Sequence, residues 1–351
     1  MSKIIINAGC ICEVNNGLWF VHYSESMLLF FDFQKNEIAR IEVFPETNGK
    51  ESGQYLEIIP VGKMLYLIPY NSDKLWKFNT EEGTFKKIYT FAYGNAFFRG
   101  AYLVGDIIYA IKGDYKEVCK INVKDDSVNI VNSFFNDKNL GKGEFYINST
   151  SLYNNEKIVC AAPRMNAFLV FDLKSEEWAA IRSKDKTNYT YIKTNNNNIY
   201  AFDANSKAIQ LITIEGVIKK KFFIGFDSVK IASITGDVVA VNDVNTGEIV
   251  LLNNELDELS RYQTNYILSV MNSQYKHSCW CTGVDKTYAI TRGNELLIVE
   301  MDLKIETIKL KVENKLWQKC SNLLITRQKE LGYENEMRTL SLFLRRLGGT
   351  K

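Results

Sequence analysis

Histidine and proline are scarce in this chain, with two and four copies among 351 residues. Two histidines cannot build a histidine-rich metal centre, and His22 and His277 are the whole stock of imidazole for acid-base chemistry. So few prolines leave the backbone free to donate ladder hydrogen bonds over long stretches. Net charge is lacking too: 43 basic and 41 acidic residues leave +2, too little for a whole-molecule field that would draw in nucleic acid or an anionic membrane. The densest basic run, Lys219-Lys220-Lys221, reads as a solvated face. No apolar run approaches the length of a membrane helix, and the run Ile4-Ile5-Ile6 is too short for a signal-peptide core. Nucleophile elbow, phosphate loop, dinucleotide fingerprint and zincin helix are all missing. Seven cysteines, an odd count in a chain too large to need disulfides, fit free buried thiols in a reducing compartment. A cytoplasmic protein without a cofactor is the expectation.

Aromatic residues, by contrast, make up 13% of the chain and favour pleated strands. A unit recurs along the sequence: apolar segment, Gly/Asn/Asp turn, second segment often centred on an aromatic, polar loop, third segment ending in an apolar-Asp/Asn-apolar triplet, and a short fourth segment. The second segments begin at Leu18, Leu65, Ile108, Ile158, Ile199, Val238 and Thr287. The triplets centre on Asp32, Asn79, Asn122, Asp172, Thr213, Asn253 and Asp302. A period of about 45 residues built from four strands is that of a β-propeller blade. Seven blades are expected, at 6–53, 54–98, 99–146, 147–188, 189–228, 229–268 and 269–312; six regular blades plus an irregular one is the alternative. The fold class is therefore all-β, residues 1–312 forming the propeller and 313–351 a helical extension.

In that extension Leu316, Trp317, Cys320, Leu323, Leu324 and Leu331 recur at helical spacing, with Gly332 as the C-terminal cap. A second helix is expected from about Glu334 to Leu347, striped by Met337, Leu340, Phe343, Leu344 and Leu347. The pair is expected to cover an edge of the last blades, with partner docking or dimerisation as its functional reading.

The run Val170-Phe-Asp-Leu-Lys-Ser-Glu-Glu-Trp178-Ala-Ala-Ile181 resembles a kelch-type repeat of the kelch and galactose-oxidase-like propellers. Leu75 to Phe85 is similar to a degenerate copy, with Phe85 at the Trp position. No paired glycine follows the second strands, a departure from the kelch pattern.

In a propeller the loops joining second to third strands, and blade to blade, ring one end of the channel. Here they offer His22, Tyr23 and Glu25; Tyr70 and Asp73; Lys112, Asp114 and Tyr115; Arg164; Asp203 and Asn205; Asp243; and Arg292. Tyrosine faces beside amides and both charge signs suit a protein or glycan partner. The competing reading is a carbohydrate- or peptide-acting enzyme using His22, Tyr23, Asp114, Asp203 and Asp243. Glu57 and Lys230 fall on inner strands, with Gly100, Thr150 and Tyr191 in the same row, as groups lining a hydrated channel. Cys10, Cys12, Cys279 and Cys281 occupy equivalent first-strand positions of the first and seventh blades, so four thiols, with His277 on the same alternation, are a candidate zinc or iron-sulfur site. The leading expectation is a non-catalytic interaction module with no nucleic-acid or membrane partner.

Overall fold

The computed structural model describes residues 6–330 apart from 7, 24, 47–53, 93–95, 115–116, 132–145, 164, 184, 196, 236, 265–278, 284–285, 292–294 and 301. Seven sheets follow one another, each of four consecutive antiparallel strands in simple order. The first strands are Ala8–Glu13, Tyr55–Val61, Phe98–Val104, Ser149–Tyr153, Tyr189–Asn195, Val229–Thr235 and Cys279–Thr282. Each lies beside the next, and Cys279–Thr282 lies beside Ala8–Glu13, so the sheets close into a seven-bladed β-propeller with these strands innermost. No six-bladed count fits.

Burial grades outward through each blade. Second strands such as Gly17–His22 and Val238–Asp243 are buried throughout, whereas the fourth strand Glu258–Gln263 is almost wholly exposed. Apolar side chains of neighbouring blades interdigitate between the sheets; Trp19, Leu65, Leu67 and Phe78 share one such cluster. That inter-blade burial is the core.

The recurrent triplet residue is a turn cap. Oδ1 of Asp32, Asn79, Asn122, Asp172, Asn253 and Asp302 accepts a backbone N–H two residues on, and Thr213 Oγ1 accepts that of Val217. These bonds turn the third strand into the fourth. Asn15-Asn16 and Asn154-Asn155 have positive φ at both positions, the twist that a two-residue hairpin needs.

After blade 7 the chain crosses to blade 1. Ile38 N–H donates to Lys311 C=O at 2.9 Å, and Ile38 bridges Val312 in parallel. Helix α1 (Asn314–Glu330) then packs on the outer strand Glu37–Val43 through buried Trp317 and Cys320. The expected helix is present, but it covers the first blade rather than the last ones. Among the described residues it is the one helix; the second, expected from about Glu334 to Leu347, lies outside them.

Candidate functional site

Glu57 on the inner strand of blade 2 feels the charges of Lys193 and Lys230, which stand on the inner strands of blades 5 and 6. Burial pushes the Glu57 carboxyl up to about 7, a rise that the two lysines restrain. The same burial pulls Lys193 below its ordinary value, against the attraction of Glu57. Beside them Tyr102 OH and Thr150 Oγ1 share a hydrogen bond of 2.8 Å. Gly100 makes that bond sterically feasible, since a Cβ there would lie 1.9 Å from Thr150 Oγ1. Lys193, two positions beyond Tyr191, was not singled out by the sequence pattern.

The cysteines take another course. Cys10 Sγ donates to Tyr55 C=O at 3.5 Å, and with Cys12 it packs into the apolar cluster facing blade 2. Burial holds the Cys12 thiol well above its ordinary value, and pushes Cys281 up to about 11. Among the described residues no group of three or more His, Cys, Asp or Glu could hold a metal ion. Those residues therefore do not supply the expected cluster; His277 and the Cys279 side chain lie outside them.

On the loop-bearing face, the residues named for catalysis are dispersed. His22 ends the second strand of blade 1 and is 3% exposed, its ring 5.6 Å from that of Trp317. It is a sealed packing residue instead of a loop side chain, and Tyr23 beside it is buried. Glu25 is half-buried, and burial pushes its carboxyl up to about 8. Asp203 accepts from Asn188 N–H, Asn205 N–H, Ser206 OH and Gln210 Nε2, while Asp243 accepts from Asn245 N–H and Thr246 OH. Both carboxylates are engaged by the turns that they build. Asn205 also donates from Nδ2 to Lys186 C=O. Asp73 pairs with Lys74 at 3.4 Å and Lys112 with Glu117 at 2.8 Å; Asp114 is half-buried. Tyr115, Arg164 and Arg292 lie outside the described residues.

Around Tyr70 the structure adds residues that the pattern did not reveal. The Phe97 ring stacks on Tyr70 with centroids 4.9 Å apart. The guanidinium of Arg99 lies 4.5 Å from the Phe97 centroid, 4.9 Å from that of Tyr70 and 5.9 Å from that of Tyr146. A backbone relay fixes the group: Phe97 N–H donates to Tyr70 C=O, Gly113 N–H to Phe97 C=O, and Ile147 N–H to Gly113 C=O. Gly113 is needed for that approach, because a Cβ there would meet the Phe97 ring at 2.5 Å. The aromatic pair Phe97-Phe98 ahead of Arg99 was the sole sequence signal, and it reads equally as core.

No family model matches this chain, and no curated protein matches it in sequence. The kelch resemblance therefore rests on its own residues. Solved structures do align. The streptogramin B lyase structure shares 13% identity over 88% of this chain and 94% of its own, with a TM-score of 0.62. Virginiamycin B lyase from Staphylococcus aureus shares 12% over 83% and 93%, with a TM-score of 0.61. The RRP9 WD40 repeats share 13% over 84% and 87%, with a TM-score of 0.58. At such identities the likeness is one of fold, and that fold serves both an enzyme and a WD40 protein.

Proposed function

We propose that this chain is a non-catalytic interaction module that holds a protein partner on the loop-bearing face, over blades 2 to 4. The observation that carries this reading is the rigid aromatic surface of Tyr70, Phe97 and Tyr146, the last 43% exposed, held by backbone bonds that run from blade to blade. Aromatic side chains fixed in this way present area at little entropic cost, which is what binding anchors require. WD40 repeats are among the fold neighbours. The test is capture by the immobilised full chain, comparing wild type, Tyr70→Ala with Tyr146→Ala, and Lys63→Ala on the opposite face. A partner held by wild type and Lys63→Ala, and lost from the tyrosine variant at unchanged melting temperature, is the expected result. Equal capture by all three rejects the reading.

A second reading, an enzyme acting on a carbohydrate or peptide, draws on the channel rather than on His22. Glu57 at about 7 beside a lysine of lowered basicity has the electrostatics of an acid-base pair. It predicts that a substrate is turned over by wild type and not by Glu57→Gln.

A further inference from the structure

Arg99 is the extra residue of a β-bulge. The pairing of Phe98–Val104 with Ile107–Lys112 shifts between Gly100 opposite Ile111 and Phe98 opposite Lys112, so Arg99 stands outside the ladder. The same shift sets apart Gly9, Leu56 and Thr190 in blades 1, 2 and 5. Blade 3 alone of these four puts a cation on the bulge, and bulges re-aim side chains beside functional sites. Among the described residues no carboxylate is recorded in an ion pair with Arg99, and its Nε is buried without a hydrogen-bond partner. Its guanidinium hydrogen-bonds with Tyr70, and burial lowers its basicity. Of the carboxylates on the adjoining loops, Glu117 and Asp73 are each paired with a lysine, and Asp114 is half-buried beside Gly113. Phe97, which floors the group, sits at φ 57°, a conformation that a bulky side chain adopts only when its surroundings enforce it.

A role confined to packing does not account for this set. A buried guanidinium Nε–H left without an acceptor is costly, and an apolar side chain of similar volume would fill the space among the three rings without that cost. We propose that Arg99, with the rings of Tyr70, Phe97 and Tyr146, is a receptor for a carboxylate borne on a partner polypeptide, an inference that rests on the interaction-module reading. The guanidinium fork matches a planar carboxylate, and the rings cover the apolar residues flanking it. A single cation balances a single negative charge. A phosphate dianion calls for a cluster of cations, and Lys112, on the neighbouring loop, is already paired with Glu117.

The probes are acetyl-Phe-Glu-Phe-amide, its Gln isostere and its phosphoserine counterpart, titrated calorimetrically against the full chain. The Glu peptide is expected to bind at least about tenfold more tightly than the Gln peptide, and Arg99→Gln to erase that difference. Equal affinity for Glu and Gln peptides, tighter binding of the phosphoserine peptide, or an unchanged preference in Arg99→Gln each overturns the proposal. Should Arg99→Gln not fold, the wild-type Nε–H resonance of Arg99, shielded from exchange by burial, is followed by NMR with benzoate and benzamide. A saturable shift with benzoate alone supports the receptor; the same response to both, or none, overturns it. Failure here with the tyrosine-dependent capture intact removes only the carboxylate; loss of that dependence removes the interaction reading itself.

Discussion

Glu57 holds a proton more tightly in the folded chain than out of it, because the channel wall withdraws water from its carboxylate faster than Lys193 and Lys230 repay the loss. Its value rises from 4.5 to about 7, so the folded state binds the additional proton between those limits. Stability accordingly falls as pH climbs through that window and is level above it, the opposite of an ion-paired carboxylate. In urea titrations from pH 4.5 to 8, Glu57→Gln is expected to remove about 1–3 kcal/mol of this decline. Glu25, raised to about 8 by burial, moves in the same direction and retains its own share in that variant. At this scale the sequence could name Glu57 and Lys230 as inner-strand polar residues. It could not rank His22, whose concealment depends on Trp317, a residue almost three hundred positions away in the chain.

The hairpins were legible because their chemistry is local. An Asp or Asn at the end of a third strand reaches the backbone two residues on, whatever the rest of the molecule does, so Asp172 announced its turn directly. The bulge at Arg99 was not legible, since a register shift belongs to two strands at once and leaves no mark on either alone. Asp203 shows how far a turn carboxylate can be committed: four donors converge on it, one of them Gln210 of the neighbouring strand, which in turn accepts from Tyr189 OH. Asp203→Ala leaves those donors without an acceptor in a buried hairpin and is expected to cost about 2–4 kcal/mol in denaturant unfolding. Peptide binding at Arg99, two blades away, should be unchanged in that variant.

Across the whole molecule, the ring has one joint unlike the other six. No strand is exchanged between blades 7 and 1; each keeps four strands of its own. The joint is made by the apolar cluster in which Tyr288 and Ile298 meet Leu18 and Phe20, by Tyr288 OH donating to Glu13 Oε1 at 3.2 Å, and by the segment from Lys311 through α1 that spans the junction. Trp317, 1% exposed against His22 and blade 1, is its largest anchor. Trp317→Ala is expected to cost about 3–5 kcal/mol. Hydrogen exchange should quicken at Glu37–Val43 and Cys279–Thr282 before Ser149–Tyr153; uniform quickening would mean that the junction is no weaker than the rest. The periodic pattern reached all seven blades, but it assigned the helix to the wrong neighbour, since a stripe of apolar residues records that a face is covered and not by what.

That junction also sets the order of events during synthesis. The segment from Lys311 through α1 leaves the ribosome only after every blade has emerged, so blade 1 must wait, with its outer strand uncovered and one broad face bare, until that segment follows. A nascent chain of this design carries its own sticky patch throughout synthesis of the seven blades, and its yield in the cell should depend on chaperones that shield blade 1 until α1 arrives.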